Sequence, residues 1–201
     1  MSNQKRQYRL KARAESQTAT RLRIVEAAAA LHDEVGPART TVAEIARRAG
    51  VQRPTVYNNF PDDRALFEAC GAHWMAAHPF PDLSPAMAEV DPGVRLKLVL
   101  TSLYRWYREN QRSTEHLQRD RLVLPALDLV MKVRMDQQMD GLTSVLASGF
   151  SAAAKPSEVR AAIALALDFW TWRRLSHEGV VDPAAARLMT DSVRAAAGML
   201  S

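Results

Sequence analysis

Apolar residues recur along this chain at intervals of three and four, the spacing that lines one face of an α-helix. In residues 18–35 they are Leu22, Ile24, Val25, Ala28, Ala29 and Leu31. The pattern predicts a helix that Thr18 or Thr20 caps and Gly36-Pro37 ends. Val42, Ile45, Ala46 and Ala49 predict a second helix. Thr41 stands three residues before Glu44, the spacing at which each side chain serves the other's first-turn N–H. Arg47 and Arg48 place positive charge at the C-terminus of this helix, and Gly50 can take the left-handed turn that follows. A third, short helix starts within a few residues, with Pro54 in its first turn, where an N–H has no intrahelical partner. Val51 and Val56 face the preceding helix. Arg53, Thr55, Tyr57, Asn58 and Asn59 are left largely outward.

Downstream, Asp62 or Asp63 starts a fourth helix that runs through Leu66, Phe67 and Trp74 to about His78. Residues 79–92 hold four prolines and predict a loop. Further helices are expected over 92–110, 113–121, 125–148, 156–178 and 182–200. Their stripes include Leu96, Val99, Leu100, Leu103 and Tyr107 in the first, broadened by Tyr104 and Trp106. Leu127, Val130, Met131, Met135, Leu142 and Val145 mark the third, and Ile163, Leu167, Trp170 and Leu175 the fourth. In the last, Asp182 caps, Pro183 takes the first position, and Ala185, Leu188, Met189, Ser192, Val193, Ala196 and Leu200 form the stripe. Few stretches alternate with period two. The expected fold is all-α, with about nine helices.

Charge refines this picture. The chain of 201 residues has a net charge of +5. Residues 1–64 hold 12 Lys/Arg against 7 Asp/Glu, whereas residues 65–201 hold 15 of each. A basic head on a neutral body suits a polyanionic partner. Residues 1–17 carry Lys5, Arg6, Arg9, Lys11 and Arg13 with little apolar content. They predict a mostly disordered, flexible basic arm that follows phosphates or enters a minor groove, or simply a solubilising tail. The division expected is therefore an arm over 1–17, a helix-turn-helix domain over 18–64 and a larger domain over 65–201.

Other classes find little support. No apolar run approaches the roughly 20 residues of a membrane span, and the polar N-terminus lacks a signal-like apolar stretch. The single cysteine, Cys70, excludes an internal disulfide and fits a reducing cytoplasm; it is expected as a small buried apolar residue. There is no phosphate-cradling glycine loop and no glycine-flanked nucleophilic serine. His73, His78, His116 and His177 show no metal-ligand spacing. No enzyme activity, cofactor, metal or membrane partner is expected, and the location expected is cytoplasmic.

The helix-turn-helix reading fits DNA chemistry. Arg53 suits a bidentate contact with guanine O6 and N7. Pro54 and the Thr55 methyl suit a thymine methyl, and Tyr57 and Asn59 suit phosphate oxygens. Arg21 and Arg23 are candidates for the DNA backbone. The plainer alternative is two helices packed for stability alone.

Residues 21–67 resemble the DNA-binding segment of the tetracycline-repressor (TetR) family. The resemblance is carried by Ile24, Ala27, Ala28, Gly36, Thr41, Ile45, Ala46, Ala49-Gly50-Val51, Pro54-Thr55-Val56-Tyr57, Phe60, Leu66 and Phe67. It implies a homodimer of all-α subunits, a double-stranded DNA operator, and a body that holds a small-molecule effector. It places DNA contacts on Thr41, Arg53, Pro54, Thr55, Tyr57, Asn58 and Asn59. Two positions depart from the family pattern. Gln52 stands where serine is frequent, and is a poorer cap that can instead reach a base or phosphate. Asp63 stands where a phosphate-binding lysine is usual, with Arg64 as the possible replacement. The fourth helix would link head to body. A pocket would draw on Trp74, Tyr104, Trp106, His116, Met131, Met135 and Trp170, with Arg119 and Arg134 as further polar candidates. The last two helices would pair with those of a second subunit, small residues such as Ala185, Ala196 and Ala197 permitting close approach.

Overall fold

A computed structural model describes residues 2–151 and 153–199, and every regular element among them is helical. In chain order these are α1 (Ser2–Val35), a 3₁₀ turn (Pro37–Arg39), α2 (Val42–Ala49), α3 (Arg53–Asn59), α4 (Asp63–Ala77) and the short α5 (Ser84–Met87). They continue with α6 (Pro92–Glu109), α7 (Gln111–Asp120), α8 (Pro125–Met131), a π-helical turn (Lys132–Asp136) and α9 (Gln137–Ser148). The last are α10 (Pro156–Leu167), α11 (Phe169–His177) and α12 (Asp182–Ala196). Contacts divide the chain into one unit of Met1–Pro79 with Glu115–Val130, and another of Phe80–Thr114 with Met131–Ser201.

The core of the first unit is made by α1. Its Ile24, Val25, Ala27, Ala28 and Leu31 are buried with Ile45, Ala46, Ala49, Val56, Phe60, Leu66 and Cys70. Leu22, expected on that face, is largely exposed. Burial pushes the Cys70 thiol up to about 12, so it stays protonated and acts as a small apolar group. The helix also begins much earlier than Thr18. Residues 4–17 contain neither glycine nor proline and are rich in Lys, Arg, Gln and Ala. Strong helix formers extend a helix already nucleated downstream even where they bury nothing, so residues 2–17 of the segment expected as a disordered arm are helical, residue 1 lying outside the described residues.

The turn between α1 and α2 is closed by α7. Gly36 adopts φ +93°, and a Cβ there would lie 2.5 Å from Arg119 Nη2 and 2.6 Å from Asp120 Oδ2. The Asp120 carboxylate is buried, accepts the Ala38 N–H at 2.9 Å, and pairs with Arg119 at 2.6 Å. Burial opposes its charge, but Arg119 and the Ala38 N–H outweigh burial and hold its carboxyl below the usual value. His116 Nδ1 lies 3.3 Å from the carbonyl oxygen of His32. The His32 ring packs 5.6 Å from Phe67, and burial lowers its pKa to about 4 against a smaller opposing effect of Asp120.

In the second unit α6 is central, packed by α5, α9, α10, α11 and α12. The long helix expected over 156–178 is broken at Asp168, whose backbone is extended (φ −71°, ψ 136°) and whose side chain accepts from Thr171 N at 2.8 Å to start α11. The break leaves carbonyls at the end of α10 without helical partners. Two buried tyrosines of α6 reach them: Tyr104 Oη donates to Ala166 O and Tyr107 Oη to Leu167 O, both at 2.8 Å. Asp182 is also placed differently from expectation. Val181 is the N-cap of α12, and Asp182 sits one position inside the helix. Its carboxylate accepts two hydrogen bonds from Arg108 at 2.6 Å and one from the buried Trp172 indole at 3.0 Å. The α12 helix ends at Ala196, and Leu200 lies outside the described residues.

The helix expected over 125–148 holds a π-helical turn at Lys132–Asp136. Such a turn inserts one residue into the helical repeat. Leu127, Val130 and Met131 before it are buried as the stripe requires, but after it the buried positions are Thr143, Leu146 and Phe150. Leu142 is only half-buried and Val145 is 49% exposed. Each buried position lies one residue later than a regular repeat would place it. The segment 79–92 contains the four-residue α5, with Ala86 buried.

Two outcomes follow from these contacts. Tyr104→Phe and Tyr107→Phe should each lower unfolding free energy by about 1–3 kcal/mol in urea titration, because each strands a buried carbonyl. For His32, the folded pKa lies below the unfolded one. Stability is therefore full above pH 6.5 and falls as pH drops towards 4, where the folded state also takes up the proton. Urea titrations at pH 7 and pH 5 should show a loss on the order of 2 kcal/mol, and His32→Gln should flatten that difference.

Candidate nucleic-acid interface

A helix-turn-helix is built here from a cap, a left-handed glycine and two buried side chains. Thr41 is extended (φ −107°, ψ 150°); its Oγ1 accepts from Glu44 N at 3.2 Å and donates to Glu44 Oε2 at 3.1 Å. The carboxylate thus holds the capping hydroxyl rather than a backbone N–H. At the other end of α2, Gly50 has φ 65° and ψ 38°. Gly50 N donates to Arg47 O at 3.3 Å and Val51 N to Ala46 O at 2.9 Å, closing the helix in a Schellman arrangement. Arg48 forms a bidentate pair with Glu34 of α1 at 2.5–2.6 Å, tying α2 to its support.

Gln52 is the N-cap of α3, extended at φ −85° and ψ 153°, with no capping hydrogen bond from its side chain. Its amide remains exposed, as do Arg53, Pro54 and Asn58. Tyr57 is 57% exposed. Thr55 and Asn59 are half-buried. These residues share the outer side of α3 because Val56, at its centre, is 2% exposed and faces the core.

Three side chains proposed as DNA contacts have internal partners. Asn59 Nδ2 donates to Thr55 O at 2.8 Å. Arg21 donates to the Asn59 carbonyl and lies 3.9 Å above the Phe60 ring, so it braces the end of α3 on α1. Arg64 pairs with Glu68 at 2.8 Å along α4. The α4 cap is Asp62, which accepts from Ala65 N at 2.7 Å; Asp63 follows it and is exposed. The bracing role of Arg21 was not legible from the sequence, because its partners lie 38 and 39 positions downstream.

The candidate effector-binding residues divide between the two units. In the first, Trp74 stacks on His78 at 4.6 Å and His116 faces the His32 carbonyl. In the second, Tyr104 is buried with its hydroxyl committed to α10, and Trp106 is buried 5.7 Å from Phe80. Met131 is buried, and Met135 is half-buried within the π-helical turn. Trp170 is 44% exposed and packs edge-on against Phe169 at 5.2 Å. Arg134 is exposed. Among the described residues no group of acidic, histidine and cysteine side chains is arranged to hold a metal, and no helix is long and apolar enough to cross a membrane.

Residues 24–70 match the family profile for bacterial regulatory proteins of the tetR family. The head of this chain thus carries the tetR-family DNA-binding segment. A segment of 55 residues is 49% identical to an uncharacterized HTH-type transcriptional regulator of Mycobacterium bovis, covering 27% of this chain and 29% of that relative. The chain thus matches under a third of the length of this curated relative. Over the whole fold it is similar to a TetR-like transcriptional regulator from Rhodococcus sp. RHA1, with TM-score 0.60, 21% identity, and coverage of 89% and 96% of the two chains. It is also similar to RolR in complex with the ligand resorcinol, with TM-score 0.52, 16% identity, and coverage of 93% and 91%. The similarity to the tetR family lies in the head; the remainder is similar to these structures in its all-α fold.

Gly50→Ala should cost about 1–2 kcal/mol in chemical denaturation, since the left-handed backbone alone opposes a Cβ and no atom lies within 4 Å of it. Gly50→Asn should cost less. Thr41→Ala should cost about 1 kcal/mol through the lost cap.

Proposed function

We propose that this chain is a transcription regulator, most simply a repressor, that binds a palindromic DNA operator as a homodimer and is released by a small-molecule effector. The observation that carries this reading is the outer side of α3. Gln52, Arg53, Pro54, Tyr57 and Asn58 stand exposed on a helix whose opposite side is fixed in the α1–α2–α4 core. That is the presentation a major groove requires. The basic head and the helix-turn-helix regulators among its relatives support it.

In this reading Arg53 reads a base, Pro54 and Thr55 pack on methyl groups, and Gln52, Tyr57, Asn58 and Thr41 reach bases or phosphates. Asn59 and Arg64 contribute by holding α3 and α4 in shape, or by exchanging their internal partners for phosphate. Residues 65–201 hold the effector and the dimer surface. Leu165 of α10, Trp170 of α11 and Leu188 of α12 are exposed and support burial by a second copy, as large exposed apolar side chains favour removal from water. An apolar or flat effector suits Trp106 and Met131, and resorcinol in RolR is a precedent for such a molecule in this fold. The place of action is the cytoplasm. Release requires only that the effector bind one body geometry more tightly, and couplings of about 1–3 kcal/mol are typical.

Duplex selected from a random pool by the purified protein should converge on a two-fold consensus, with half-sites about 34–36 Å apart. Arg53→Ala should relax preference at one position per half-site, at a cost of about 1–3 kcal/mol. Tyr57→Phe should weaken all sequences alike. Recovery of no consensus, with affinity insensitive to salt, would exclude the reading.

A further inference from the structure

Every residue from Arg6 to Ala19 of α1 is exposed, so this stretch packs against nothing among the described residues. Its charge is nevertheless ordered. Arg6, Arg9 and Arg13 stand about five helical turns, at 3.6 residues each, before Ile24, Ala27 and Leu31. They therefore lie on the same row of the helix as the residues that α1 buries in the head. One face of one helix is apolar where it supports α2 and α4, and cationic where it runs past them. Lys11 lies on the opposite side, so the row is not a uniform basic coat.

Two features identify what this row fits. Arg6, Arg9 and Arg13 follow one another at about 4–6 Å along the axis, a density of charge that matches the closely spaced phosphates of duplex DNA. The row also runs out from the part of α1 that meets the end of α3: there Arg21, beside the row, bonds the Asn59 carbonyl and covers Phe60. We propose that α1 is a second DNA contact, seating Arg6, Arg9 and Arg13 on phosphates that flank the base pairs read by α3. The inference rests on the DNA-binding reading of α3 and extends it to duplex outside the half-site. It makes the contact sequence-independent, since arginines on phosphates position a protein without reading bases.

The test compares full-length protein with R6Q/R9Q/R13Q and R6K/R9K/R13K, since glutamine and lysine both retain helix propensity. Binding is followed by fluorescence anisotropy, over a range of salt, on the selected consensus duplex. The duplex is used trimmed to its half-sites and with each flank extended by about one helical turn, ~10 base pairs. The expected result is a logarithmic salt slope on the long duplex that is steeper for the wild type by about 2–3 per protomer, at ~0.9 per phosphate. The glutamine variant should lose this excess and the benefit of the flanks while selecting the same consensus. The lysine variant should keep both. Consensus binding with the same slope and flank dependence in the glutamine variant would overturn the inference and leave the α3 reading intact. So would row-dependent binding to phosphatidylserine vesicles without any flank dependence on DNA. Absence of duplex binding by the wild type would remove both.

Discussion

A helix of seven residues cannot hold itself together in water, and α3 has only seven. Nucleating a helix costs more than two turns of hydrogen bonds return. The exposed side of α3 therefore exists only because its other side is buried: Val56 at its centre and Phe60 at its end are 2% and 3% exposed. Everything in the head serves that burial. Gly50 turns the chain so that Val56 meets α2. Ala27, Ala28, Ala46 and Ala49 are small enough for α1 and α2 to approach closely. Arg21 then holds the end of α3 by its last carbonyl. A short, rigid helix with no freedom to shift its side chains as a group is what groove geometry demands, and its shortness makes that rigidity a property of its neighbours.

The second unit solves a different problem. Its helices break, and each break frees polar groups that must be met inside a core. Tyr104 and Tyr107 do this at the α10–α11 junction, and Asp182 gathers Arg108 and Trp172 at the start of α12. In both places the aromatic body supplies burial while its polar tip supplies the bond. Tyr107, Phe169 and Trp172 pack together around these groups at ring separations of 5.3–5.7 Å. The polar contacts thus fix which turn of α10 lies against α6, a choice that apolar contact alone leaves open.

This contrast explains what was legible in the sequence. The head was readable because its determinants are local: a cap three residues from its partner, a glycine after two arginines, a proline in a first turn. The body was readable as helices but not as their phase or breaks. The π-helical turn at Lys132–Asp136 moved the buried stripe by one residue, so Leu146 replaced Val145 in the core. No residue in KVRMD announces this, because an inserted residue is stabilised by packing on both sides. Asp168 resembled any polar residue on a helix face until the tyrosines about sixty positions upstream showed where the carbonyls went. The early start of α1 was missed for the opposite reason: periodicity detects burial, and a helix that buries nothing has no apolar period to detect.

The two ways of holding helices also set how the units tolerate change. In the head, alanines at helix contacts leave no room, so added volume must separate α1 from α2 and withdraw support from α3. In the body, the sensitive atoms are hydroxyl, indole and carboxylate groups whose removal leaves a buried partner unmet. The exposed side of α3 belongs to neither class: Gln52, Arg53, Tyr57 and Asn58 support no core. Substitution there is therefore free of cost to the fold. In the proposed DNA-binding role, such a surface on a separately secured helix would change its sequence preference while its stability stays with Val56, Phe60 and the alanines beneath.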